Sequence, residues 1–139
     1  MSAKAASLLL AAALLLPGAA LAAHGKAGLW SSTTTMTMPG MPAQSRAATY
    51  CMTQAEVASE APAADPRSGC VYKNMSVQGR TYNADMVCTG QFKGTGRFST
   101  TYDSDTHYTA TIAIAGEGFS MTNAVEGKWL KADCAGATQ

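Results

Sequence analysis

Past its first two dozen residues this chain almost lacks leucine, which remains only at Leu29 and Leu130. Leucine is a strong helix former, whereas the Thr that crowds the same region favours strands, so a helical bundle is excluded and a β fold expected. Charge is scarce as well, at 14% of residues. The ten Lys/Arg include Lys4 in the leader, and the rest balance the nine Asp/Glu without any run of one sign. Nucleic acid and anionic membrane surfaces are therefore poor partners. With two His and no paired Cys-x-x-Cys, a structural zinc site is excluded. There is no nucleophile elbow, no phosphate-cradling glycine loop opening a helix, no metalloprotease helix and no EF-hand spacing. Nothing in the chain calls for catalysis or a cofactor, and the expectation is a protein that is not an enzyme.

What is present begins with an export signal. Lys4 precedes an apolar stretch from Ser7 to Leu16, Pro17-Gly18 breaks it, and Ala20-Leu21-Ala22 supplies a small-x-small cleavage triplet. Residues 1–22 read as a signal peptide cut after Ala22. The apolar run is too short to span a bilayer, no stop-transfer segment follows, and no cysteine stands where a lipid anchor would need one. Residues 23–139 are then a single β domain, periplasmic or secreted, with no integral membrane segment after cleavage.

Alternation locates the strands. Val71, Met75 and Val77 alternate with polar residues, as do Tyr82, Ala84 and Met86, and Gln78-Gly79 between them suits a two-residue turn. That turn sets Val71 opposite Met86 and Met75 opposite Tyr82. A Gly116-Glu117 turn likewise opposes Ile114 to Phe119, Ile112 to Met121 and Tyr108 to Val125. Between the hairpins a long strand presents Phe92, Gly94, Gly96, Phe98, Thr100 and Tyr102 on one face, its glycines permitting strong bending. Asp103-Ser104-Asp105 turns it into the strand of Tyr108, Ala110, Ile112 and Ile114. At the front, Leu29 to Met38 carries Trp30, Thr34, Met36 and Met38 on one face, Pro39-Gly40 and Pro42 end it, and Ala47 to Met52 returns. Thr53 to Glu60 alone looks helical, with Thr53 and Glu56 as a capping box, and Ala61 to Ser68 is loop. The fold expected is a curled antiparallel meander or small up-and-down barrel of seven or eight strands, with one short helix and two disulfides, and a two-sheet sandwich is the second choice.

Cys51, Cys70, Cys88 and Cys134 are an even set for an oxidising compartment. In the register above, Cys70 and Cys88 fall on opposite faces of one hairpin and cannot bridge without a bulge. Cys51–Cys70 with Cys88–Cys134 is the expected pairing.

Met36, Met38 and Met41 form one chemically suggestive cluster, because soft thioethers favour Cu(I). The competing expectation places Met36 and Met38 in the core beside Trp30, with Met41 in a loop above it. His24, near the expected mature N-terminus, offers an amine and imidazole for copper, although a flexible terminus carries such residues by chance. His107 lies on a polar strand face, where an exposed side chain is expected. Asp103-Ser104-Asp105 is explained by turn preference rather than Ca²⁺.

Gly28-Leu29-Trp30, Met36-x-Met38-Pro39-Gly40-Met41, Tyr50-Cys51, Cys70, a strand ending in Cys88, glycine-rich strands, and Trp129 ahead of Asp133-Cys134 form an ordered set. It resembles an exported bacterial family known as domain of unknown function 3617, over nearly all of the chain after the leader. The family pattern opens Gly-Leu-Trp-Glu, but Ser31 stands here in place of Glu, so no role for that acid carries over. The resemblance implies export to the bacterial envelope, a β domain and disulfides; it implies no activity. The function expected is a binding or structural module. An apolar ligand inside the curled sheet would meet Trp30, Met36, Tyr82, Phe92, Phe98, Tyr102 and Phe119. An envelope-protein partner or inhibitor role, and Cu(I) binding at Met36, Met38 and Met41, are the alternatives.

Overall fold

The computed structural model describes residues 25–58, 69–90 and 93–138. The expected leader, His24, the 61–68 loop and Phe92 lie outside the described residues. Seven strands and one helix follow in order: β1 (Gly28–Thr37), β2 (Gln44–Met52), α1 (Gln54–Ala58), β3 (Cys70–Gln78), β4 (Thr81–Thr89), β5 (Lys93–Ser104), β6 (His107–Gly116) and β7 (Phe119–Lys131). They form one antiparallel sheet in the order β2-β1-β7-β6-β5-β4-β3. From β3 to β7 the chain is a meander; the β1–β2 hairpin is laid beside β7.

The sheet is open, not the closed barrel held as one expectation, because its edges β2 and β3 do not pair. At the β2 edge the reason is visible. Thr49 N–H donates to Thr138 Oγ1 at 3.1 Å and Thr138 N–H donates to the Thr49 carbonyl at 3.0 Å. Cys51–Cys134 pins the same tail to β2. Hydrogen-bonding groups that would have closed a barrel are spent on the C-terminal segment instead.

Strand alternation is legible throughout. On β4, Tyr82, Ala84, Met86 and Cys88 are buried while their neighbours are half-exposed. On β5 and β6, Thr100, Tyr102, Tyr108, Ala110 and Ile114 are buried. The helix starts as expected: Thr53 N–H donates to Glu56 Oε2 at 2.6 Å and Glu56 N–H to Thr53 Oγ1 at 3.2 Å, a reciprocal cap. It buries Val57.

Register differs from expectation at both hairpins. The β6–β7 turn is Glu117-Gly118, with Gly118 at φ 76°, so Ile114 opposes Met121 and Tyr108 opposes Gly127. A shift of two places changes partners but leaves every side chain on its expected face. The β3–β4 turn is Gly79-Arg80, and the register slips again between Lys73 and Ser76, where Asn74 takes φ 51°. A bulge of this kind inserts one unpaired residue and flips the faces beyond it. Val71 therefore points outward, at 53% exposure, and Cys70 lies directly opposite Cys88.

The disulfides are accordingly Cys70–Cys88, with Cα atoms 4.0 Å apart, and Cys51–Cys134, at 5.3 Å. The expected Cys51–Cys70 and Cys88–Cys134 pairing is overturned. Its premise of a flat hairpin fails at the Asn74 bulge.

Close approach requires glycine most tightly at Gly127. A Cβ at Gly127 would occupy the space of the Tyr108 ring, which lies across this position from the adjacent strand. Gly127→Ala should therefore displace Tyr108 and cost about 1–3 kcal/mol, the usual range for overpacking. Urea unfolding would measure it; an unchanged midpoint would contradict the close packing.

Candidate functional site

The inner face of the curl has two unlike ends. Around Trp30 it is filled. Trp30 has no exposed surface, and Tyr82, Tyr102, Tyr108 and Ala110 are buried against it. The Trp30 ring meets Tyr108 at 5.6 Å and Tyr102 edge-on at 6.3 Å. These contacts join β1 to β5 and β6, strands that are not neighbours, and so require the sheet to curl. Tyr50 from β2 reaches across in the same way, donating its hydroxyl hydrogen bond to Tyr108 Oη at 3.1 Å. Burial pushes the Tyr50, Tyr102 and Tyr108 phenols well above their ordinary range, so they stay neutral.

The first described residues close this end. Lys26 O accepts Trp30 Nε1–H at 2.8 Å, Ala27 O accepts Trp129 Nε1–H at 3.1 Å, and Lys26 Nζ lies 5.2 Å from the Trp129 ring centre. Lys26 N–H also donates to Asp105 O at 2.8 Å, fastening the strap to the β5–β6 turn. Trp30, Tyr82 and Tyr102, expected to line a ligand space, are here packing partners. Tyr50 enters the sequence reading only within the Tyr50-Cys51 of the family resemblance, with no packing role there; its alternation with Met52 ahead of the capping box was the available signal.

Toward the other end, a second cluster joins Cys70, Met86, Cys88 and Ile114, with Tyr72, Phe98, Ile112, Phe119 and Met121 only partly buried against it. Register places Met36 beside Asn123 and Gln44. Met36 and Met38 share the face of Trp30 as expected, but both are half-buried and belong to neither core cluster, which corrects their expected core position. The strand has run past the curl's covered region before it reaches them. Asn123 Oδ1 is buried here without a hydrogen-bond partner. Of the expected ligand-lining set, the structure brings Phe98 and Phe119 to this looser end, with Met36 near it.

The outer face carries an open trough of about 610 Å³. Lys73, Asp85, Arg97, Ala113 and Thr122 cross it in register from β3 to β7, small residues forming its floor. Asp85 accepts from Asn74 Nδ2 at 2.8 Å and faces Arg97 Nε at 3.6 Å. Edge strand β3 exposes three apolar side chains: Val71 (53% exposed), opposite Val87 on the outer face, and, past the bulge, Met75 (39%) and Val77 (43%), the last opposite Tyr82 on the inner face.

His107 stands on the outer face as expected, but it is engaged. Its Nδ1 lies 2.7 Å from Asp103 Oδ2 and its Nε2 3.0 Å from Glu126 Oε1, which Lys128 Nζ also approaches at 3.1 Å. The hydrogen bonds to Glu126 and then to Asp103 raise the His107 pKa above its ordinary 6.5. Glu126 moves the other way, lowered chiefly by the same bond to His107. The contribution of His107 to stability is full below its ordinary value and disappears as pH rises through the raised one, while that of Glu126 disappears in acid as pH falls through its lowered one. An NMR titration should place the His107 midpoint above 6.5, and Glu126→Gln should lower it. A wild-type midpoint at or below the ordinary value would remove the argument.

Among the described residues no group of three or more His, Cys, Asp or Glu is placed to hold a metal ion. The soft donors are placed differently. Met38 and Met41 line one open groove of about 390 Å³ together with Pro39, Gly118, Phe119 and Ser120. Met36 is not part of it, so the expected three-methionine cluster is divided.

An open, curled, seven-stranded sheet tied by two disulfides defines an all-β domain with a filled aromatic end and exposed faces. The family whose description is "Protein of unknown function (DUF3617)" matches residues 25–134, and the chain belongs to that family. Neither a curated protein nor a solved structure matches the chain. No helix among the described residues is long and apolar enough to cross a membrane.

Proposed function

We propose that this chain is an exported, non-enzymatic binding module of the bacterial envelope whose partner is another protein, engaged along the β3 edge. The observation that carries the reading is the exposure of Val71, Met75 and Val77 on an edge strand, beside a disulfide that holds that strand rigid. A fixed edge loses little conformational entropy on association, and an edge strand offers a partner its unpaired backbone groups together with the apolar side chains it exposes. Export is supported by the leader motif, by disulfides that persist in an oxidising compartment, and by the burial of Gly25 just past the expected cleavage point. A non-catalytic role is supported by His107, both of whose ring nitrogens are taken by carboxylates and so are unavailable as a base.

A second reading, an apolar small ligand at the looser end of the inner face, is favoured by the unpartnered Asn123 Oδ1 among half-buried apolar residues. Such an atom could accept a hydrogen bond from a ligand's polar end.

Native mass spectrometry of protein purified from the periplasm separates the readings. A protein complex that Val71→Lys with Val77→Lys abolishes supports the first. A retained small molecule that Asn123→Leu releases supports the second, and a bare monomer overturns both. Sequencing the mature N-terminus should read Ala-His-Gly; an intact leader on the purified protein would refute export with cleavage.

A further inference from the structure

We propose that Met38 and Met41 form a two-thioether site for a soft monovalent cation, Cu(I) or Ag(I), at the end of the β1–β2 hairpin. Met41 N–H donates to Met38 O at 3.2 Å, and Gly40 between them has φ 77°. With Pro39 at the second position and a positive-φ glycine at the third, this is a type II turn, which brings its first and last Cα atoms within about 7 Å. Proline fixes one backbone angle and glycine alone takes the next without strain, so the two methionines are held close before any ligand arrives. Both line the same solvent-open groove, and Phe119 from the β6–β7 hairpin forms its other wall.

The donor chemistry narrows the occupant. The groove lining includes no carboxylate, imidazole or amine, and its one side-chain oxygen is the neutral Ser120 hydroxyl, so hard divalent cations find no charged ligand there. Neutral thioethers select soft d¹⁰ ions, and an aromatic ring nearby adds attraction for a cation. All four cysteines are in disulfides, leaving no thiolate to compete for the ion. Core packing does not account for these side chains, since Met38 is half-buried and Met41 is 48% exposed.

The test is anaerobic titration of the purified full-length mature protein with Cu(I) in competition with a chromophoric Cu(I) chelator, repeated with redox-inert Ag(I). One equivalent is expected, with Zn²⁺ not bound. Met38→Leu and Met41→Leu should each abolish uptake while thermal melts of the metal-free protein stay near wild type. Met121→Leu, outside the groove, should leave uptake unchanged. Gly40→Ala removes no donor, and a Cβ there touches nothing, so only the turn is perturbed. It should weaken binding about tenfold, as loss of an orienting partner does at other metal sites. No uptake by the wild type, or uptake that Met38→Leu and Met41→Leu leave intact, would overturn the proposal.

Discussion

Trp30→Ala should be the most damaging single substitution in this protein, lowering its unfolding free energy by about 3–5 kcal/mol, the range for deleting a buried aromatic. The indole has no exposed surface and fills the closed end of the curl, where it touches the Tyr102 and Tyr108 rings. Its N–H also satisfies the Lys26 carbonyl. Removing it opens a cavity, strands that carbonyl and loosens the strap that covers the end. Trp30→Phe keeps most of the volume but leaves the acceptor unpaired, an effect of about 1–3 kcal/mol. A domain of this size has roughly 5–15 kcal/mol in all, so the alanine variant should be largely unfolded well below the wild-type transition. Denaturant titration followed by tryptophan-independent far-UV CD checks this; a loss under about 1 kcal/mol would contradict the packing.

The second large effect concerns the Cys51–Cys134 bridge, which spans 83 residues, against 18 for Cys70–Cys88. Loop-entropy arguments give about 4.5 kcal/mol for the longer loop and about 3 kcal/mol for the shorter. Replacing Cys51 and Cys134 together by Ser should therefore lower the melting temperature more than replacing Cys70 and Cys88. It also frees the tail that holds the β2 edge through Thr49 and Thr138, so that edge should gain amide exchange while the β4–β6 centre does not. Non-reducing peptide mapping of the wild type should recover Cys51–Cys134 and Cys70–Cys88 peptides. Recovery of Cys51–Cys70 would refute the β3–β4 register. The hairpin pair should show the smaller melting shift; equal shifts would mean that strain or residual structure outweighs loop length.

Much of the fold was open to inspection in the chain itself, for a reason that is local. A strand with one buried face must alternate, so Tyr82, Ala84 and Met86, or Phe98, Thr100 and Tyr102, declare their face without reference to any partner. The Thr53–Glu56 cap is equally local, four residues that satisfy each other's backbone groups. The candidate site was less accessible. Trp30 and Tyr102 were recognised as inward, but whether inward means filled or hollow depends on which strands the curl brings together. Tyr50, from the far side of β1, is the side chain that completes the filling against Tyr108.

By itself, then, the sequence determined the β class, the strand faces, the helix cap and the chemistry available at each position. Only the tertiary structure decided the disulfide pairing, the open edges and the burial of the methionines. A two-residue turn can close one place earlier or later with similar local energy, and a single bulged residue such as Asn74 reverses every face beyond it. That choice is made by the sum of cross-strand packing along the whole hairpin. Likewise, β2 bonds the tail rather than β3 because Cys134 brings Thr138 alongside Thr49. The competition is between segments nearly the whole chain apart, which no local pattern records.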